Sequence, residues 1–100
     1  MRYRLTHAAL QDIQDIVHEI RVSQHSPQNA RLVVSRLKEE FRRLVTMPRL
    51  GHPREEIEDG AACVIHVRGV LVIYDLTLKP LTILRVVHAA RDLKRIDIRT

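Results

Sequence analysis

VLVIYDLTLKPLTILRVVHAARDL, residues Val70 to Leu93, is the stretch from which the fold can be read. Val70–Tyr74 and Ile83–Val87 are almost wholly aliphatic, β-branched or aromatic, and Lys79-Pro80 breaks the chain between them. Each run is too short for a free-standing helix and too apolar for a loop. Two neighbouring strands in the middle of a sheet are expected, because a strand covered on both faces loses its polar/apolar alternation. Arg85 interrupts the second run and His88 ends it. A buried unpaired guanidinium would cost several kcal/mol, on the order of a small domain's whole stability. Arg85 must therefore reach water, a carboxylate or a partner.

Outward from this stretch, Cys63–Val67 reads as a preceding strand, with Arg68-Gly69 as the tight turn and Leu78-Lys79-Pro80 as the next one. Ala89 to Ile96 has the length of one or two final helical turns. The earlier chain supplies packing. Arg2–Leu5 is a short first strand, and Thr6 is a candidate N-cap for a helix ending near Ser23. Ala9, Ile13, Ile16, Val17 and Ile20 form its apolar stripe, while Asp12, Asp15 and Glu19 fall off the stripe and are expected to be solvated. Ser26-Pro27 starts a second helix, since serine caps free N–H groups and proline suits the first helical position. Its stripe is Ala30, Val33, Val34, Leu37, Phe41, Leu44 and Val45, and Met47-Pro48 ends it. The order is β-α-α-β-β-β: an α+β domain spanning residues 1–100, with an antiparallel sheet packed on an α-helical hairpin.

The chain has 100 residues, 45% apolar and 29% charged, which is the make-up of a folded globular domain. Three aromatics leave the core to aliphatic side chains. Seventeen Lys and Arg against twelve Asp and Glu give a charge of +5, which favours an acidic partner. The acidic cluster Glu55-Glu56-Ile57-Glu58-Asp59 shows that this charge is unevenly spread. A single cysteine, Cys63, excludes an internal disulfide framework and a cysteine zinc site. No apolar run approaches about 18 residues and there is no signal-peptide core, so a cytoplasmic protein with no membrane role is expected.

Six histidines invite a metal hypothesis, but none are spaced as HxxxH or as a Cys/His cluster, and no metal or cofactor is expected. His7, His18, His25 and His52 read as solvated. His66 and His88 lie on or beside strands, where alternation could turn both to one face. Arg68, Arg85 and Arg91 could join them, with imidazole as acid or base and guanidinium holding a phosphate. The plainer reading is that His88 ends a strand and that Arg91 pairs with Asp92 or the acidic loop. Tyr74 reads as a core residue with a satisfied hydroxyl. Arg31, Arg36, Arg42 and Arg43 on the second helix form either a nucleic-acid face or, given the glutamates among them, an ordinary solvated one.

Four blocks of sequence carry a resemblance: Tyr3-x-Leu5-Thr6-x-x-Ala9-x-x-Asp12-Ile13-x-x-Ile16, Pro48-Arg49-Leu50-Gly51-x-Pro53-Arg54, Val72-Ile73-Tyr74 and Arg85-Val86-Val87-His88-Ala89-Ala90-Arg91-Asp92. Together, in this order from Tyr3 to Leu93, the chain resembles the ParE toxins of the RelE/ParE superfamily. The resemblance implies the toxin of a type II toxin–antitoxin module: a non-enzymatic inhibitor of DNA gyrase, held in a hetero-oligomer by an acidic ParD-like antitoxin. Operator DNA would be reached only through that antitoxin. Arg54, Arg68, Arg85 and Arg91 would then meet antitoxin or target. The alternatives are a metal-independent, ribosome-dependent RNA endonuclease of RelE type, with His88, Arg85 and Arg91 as catalytic candidates, and an attenuated member that survives as an antitoxin-binding corepressor module. The chain departs from the family in having Cys63 and Asp75 where arginine is common, which removes two positive charges from the sheet.

Overall fold

The computed structural model describes residues 2–99, so Met1 and Thr100 of the expected 1–100 domain lie outside the described residues. The elements follow the order β1 (Tyr3–Leu5), α1 (His7–Ser23), α2 (Pro27–Thr46), a 3-10 turn (Pro48–Leu50), β2 (Ala62–Val67), β3 (Val70–Asp75), β4 (Leu81–His88) and a second 3-10 turn (Leu93–Arg95). The sheet order is β1-β4-β3-β2, which puts the two apolar runs at its centre. The last three strands form the expected antiparallel meander. β1 differs: it lies parallel to β4, so the sheet is mixed. The two helices and the segment that follows them separate β1 from the meander by far more than the dozen or so residues that a parallel pairing needs.

The local chemistry at each boundary is what the residue types dictate. Thr6 Oγ1 accepts from the Ala9 N–H at 3.0 Å and donates to the Leu84 carbonyl at 2.8 Å, so one hydroxyl caps α1 and fastens it to β4. Ser26 caps α2 by accepting from the Asn29 N–H at 3.1 Å, with Pro27 at the first helical position. Arg68 (φ 47°) and Gly69 (φ 84°) make the β2–β3 turn, which needs the left-handed region at both central positions.

The helical hairpin covers one face of the sheet. Ile16 and Ile20 of α1 and Leu37, Phe41 and Leu44 of α2 are buried against Val70, Val72, Tyr74, Ile83 and Val86. Tyr74 is fully buried; its hydroxyl donates to the Pro48 carbonyl at 2.7 Å and accepts from the Gly51 N–H at 2.9 Å, as the reading of a satisfied core tyrosine required. A Cβ on Gly51 would come within 2.7 Å of that hydroxyl and of the Val64 carbonyl, which is why glycine occupies this position.

What covers the opposite face was not accounted for by the sequence pattern. Leu71, Ile73, Leu84 and Val87 point there, and the C-terminal segment crosses them with Leu93, Ile96 and Ile98, helped by Ile57 from the acidic loop. The chain thus covers with its own tail the face that the continuous apolar runs had predicted to be buried.

Candidate functional site

β2 is one of the two edges of the sheet, and a groove of about 500 Å³ runs between it and α2. Arg36, Glu40 and Arg43 line it from α2, where their i, i+4 and i+7 spacing places them on one helical face. His52 and Arg54 come from the loop, and His66 and Arg68 from the end of β2 and its turn. Four arginines and two histidines therefore face one glutamate. Arg43 sits 3.7 Å from Glu40, and Arg54 lies 3.2 Å from Glu56, whose carboxyl that bond holds below the ordinary range. All of these pairs are at least partly exposed, so their Coulomb energy is screened and their guanidinium groups can exchange partners. His52 and Val64 exchange backbone bonds at 3.1 and 2.9 Å, an isolated bridge that pairs the loop with the β2 edge. An anionic surface seated here would meet several cations at once, and an extended one could continue the edge pairing past Val64.

The predicted site residues do not converge. Arg54 and Arg68 share this groove. Arg85 lies elsewhere, on the strand two places in. Ile73 faces Arg85 while Tyr74 faces Ile83, so β4 carries an extra residue there, and such a bulge re-aims the following side chain. Arg85 Nε and Nη2 donate to both oxygens of Asp12 at 2.7 and 2.8 Å, and Nη1 donates to the Asp97 carbonyl at 2.8 Å. The Val86 N–H also donates to Asp12, at 2.9 Å. The bond to Asp12 raises the Arg85 pKa against the opposing effect of burial. Of the three outlets open to Arg85, a carboxylate is the one taken. The expectation that Asp12 would be solvated is corrected, for its side chain is 12% exposed. β1 stops opposite Ile83, which leaves the edge of β4 open beyond it, and Asp12 fills that gap. Asp12 and Arg85 belong to the first and last of the four sequence blocks, so a physical contact joins them.

His66 and His88 are on opposite faces, so the shared site that strand alternation would have allowed does not form. His66 stands opposite Leu71, which belongs to the tail-covered face, and His88 stands opposite Val70, which belongs to the helix-covered face. His88 Nε2 lies 3.1 Å from Glu19 of α1. Arg91 is exposed just beyond β4, and Asp92, its expected partner, contacts Arg95 instead at 3.6 Å. Among the described residues no three His, Cys, Asp or Glu side chains are placed to hold a metal ion. No helix among them is long and apolar enough to cross a membrane.

The two departures noted in the sequence lie together. Cys63 stands opposite Tyr74 and is half-buried; burial first, and Asp75 second, push its thiol pKa up. Asp75 is 2% exposed and accepts from the Thr77 N–H at 2.8 Å and from Arg99 Nη2 at 2.6 Å. Burial would raise its pKa, but the bonds from Thr77 and Arg99 outweigh burial and hold it below the ordinary range. Sequence reading missed Arg99 and Asp59, which have no local spacing signal, gave Asp12 no role beyond its place in the first block, and took His52 as solvated and Arg36 and Arg43 as part of a face that could equally be solvated.

The family model described as ParE toxin of type II toxin-antitoxin system, parDE, matches residues 3–93. A solved structure titled as a chromosomal ParDE TA system from P. aeruginosa is similar in fold, with a TM-score of 0.69 at 20% identity, over 88% of this chain and 95% of that one. A comparison with the curated proteins finds no significant match.

Proposed function

Because the chain belongs to the ParE toxin family of type II toxin–antitoxin systems, we propose that it arrests growth by inhibiting DNA gyrase and that an acidic, ParD-like antitoxin neutralises it. The observation that carries the antitoxin half is the groove beside β2, where Arg36, Arg43, Arg54 and Arg68 gather with His52 and His66 around one glutamate. Carboxylates from an acidic segment would displace the screened surface pairs made by Arg43 and Arg54 at little cost. Leu10, Val22 and Leu32 are exposed on the helical hairpin and offer such a partner further apolar contact. The gyrase half rests on family membership. The endonuclease reading has less support, because Arg85 is already engaged by Asp12 and Asp97 and cannot share a phosphate with His88 without giving up that pair.

Induction of the chain in a bacterial host, with growth, cell shape and transcript integrity followed together, tests the target. Filamentation with intact transcripts is expected. Rapid translational arrest with cleaved transcripts would move the chain to the endonuclease class, and no effect would favour an attenuated, antitoxin-binding member. Co-expression with the antitoxin encoded beside it tests the groove: Arg54→Glu with Arg68→Glu should reduce complex formation at least about tenfold. Unchanged affinity would remove the groove from the interface.

A further inference from the structure

Residues 92–99 cover one face of the sheet with no strand and no helix longer than the three-residue 3-10 turn Leu93–Arg95. None of the four strands pairs with them, among the described residues. Their backbone bonds are local, from Arg95 N–H to the Asp92 carbonyl at 3.1 Å and from Ile96 N–H to the Leu93 carbonyl at 3.4 Å. What fastens them is side chains. Leu93 and Ile96 are buried with Ile98 beside them, Arg85 holds the Asp97 carbonyl, and Arg99 grips two carboxylates. Those carboxylates come from two different parts of the chain. Asp59 ends the acidic loop and also accepts from the Ala61 N–H at 3.0 Å, while Asp75 ends β3 and is almost fully buried.

We propose that residues 92–99 form a strap that lifts off the sheet as one unit, and that the grip of Arg99 on Asp59 and Asp75 is its latch. The strap can leave without breaking a strand ladder, so its opening does not require global unfolding. The latch lies at the far end from the β4 junction, where one side chain controls the whole lever. It is made of charge-assisted bonds, one of them to a carboxylate shielded from water, so it is less open to screening than the exposed pairs elsewhere on the surface. Opening bares Leu71, Ile73, Leu84 and Val87, the apolar floor beneath the strap. It also frees the acidic loop, whose Ile57 and Asp59 both lean on the strap side of the sheet. The acidic cluster in this otherwise basic chain is thereby explained in part: it supplies half of the latch. This proposal does not depend on the toxin reading.

Native-state hydrogen exchange of the full chain tests it. The Arg95 and Ile96 amides are expected to exchange together, far faster than the β3 and β4 ladder amides and with little denaturant dependence. Arg99→Gln is expected to speed their exchange about tenfold or more while leaving the central ladder amides unchanged. Trypsin cleavage at Lys94 and Arg95 under native conditions should accelerate in parallel, and Asp75→Asn should reproduce the effect. Exchange of the strap amides at the same rate as those of β3 would show the tail to be an integral part of the core and would overturn the proposal. Faster exchange of the strap without any response to Arg99→Gln or Asp75→Asn would overturn the latch.

Discussion

One face of the sheet is closed by thirty-odd residues of capped helix and the other by a tail of eight, yet both floors are lined by buried aliphatic side chains. The helical cover is fixed at many points. Thr6 and Ser26 cap it, Thr6 and Asp12 bond to the open edge of β4, and Phe41 and Leu44 are lodged in the core. The tail cover rests on Leu93, Ile96, Ile98 and three guanidinium contacts. The comparison teaches that burial of a strand says nothing about the permanence of what buries it. A continuous apolar run requires a cover on each side, but the cover's own attachments decide how long it stays.

The largest expected effect separates the two covers directly. Phe41→Ala removes a side chain that is 2% exposed and should cost about 3–5 kcal/mol in urea unfolding. Ile96→Ala removes a side chain from the tail that is also buried, at 8% exposure, but the tail can detach, so its cost should not exceed about 2 kcal/mol. Equal losses at the two positions would mean that both covers are bound alike. Arg85 stands between them, since it holds Asp12 on the helical side and Asp97 on the tail side. Asp12→Ala leaves that guanidinium and the Val86 N–H without their shared partner, and a loss of about 2–4 kcal/mol is expected. A change under about 0.5 kcal/mol would show that water replaces the carboxylate there. Next in size is Tyr74→Phe, which strips a partner from the Gly51 N–H and the Pro48 carbonyl and should cost about 1–3 kcal/mol on the helical side.

These sites also mark how far the sequence could be read. The central strands, both caps, the helix ends and the Arg68-Gly69 turn were legible because each depends on neighbours within a few positions. So was the requirement that Arg85 find a carboxylate or another polar outlet, since that follows from the cost of burying charge. Which carboxylate was not legible. Asp12 is 73 positions away in sequence, and a helical wheel gives its angle but not that β1 stops short and leaves a gap beside it. The faces of His66 and His88 were not legible for a related reason. Their faces follow from strand register, which depends on pairing across the turn rather than on alternation within one strand. The basic groove was half legible: Arg54 and Arg68 were singled out, while the glutamates around Arg36 and Arg43 left their face equally readable as a solvated one. The tail cover gave no signal, because Leu93, Ile96 and Ile98 are too sparse to show a period.

Acid titration sharpens the comparison from the side of the tail. The Asp59 and Asp75 carboxyls are held below their ordinary range, Asp59 chiefly by Arg99 and Asp75 by Thr77 and Arg99 against burial. Their unfolded pKa is about 3.9, so between that value and the lower folded one the unfolded chain binds more protons. Their contribution to stability is therefore complete above about pH 4 to 5 and falls away as the pH drops through the folded pKa. Asp75→Asn should flatten the acid limb of a stability-versus-pH curve, and the strap amides should lose protection at higher pH than those of β4. An unchanged acid limb would remove Asp75 from the latch.

The smallest expected effect is at the rim of the helical cover, where His88 meets Glu19. The contact is 3.1 Å, as close as many structural pairs, but the two side chains are 51% and 57% exposed. Water competes for both partners, salt screens them, and ordering two side chains offsets most of the gain. His88→Gln should therefore change stability by less than about 0.5 kcal/mol at physiological salt. Arg99 makes the instructive contrast, because it is itself 40% exposed but one of its partners is 3% exposed. If His88→Gln and Arg99→Gln moved the urea midpoint equally, neither the shorter contacts of Arg99 nor the burial of Asp75 would strengthen its hold. If Arg99→Gln moved it more and Asp75→Asn moved it more than Asp59→Asn, the burial of the acceptor would be what gives an exposed cation its hold.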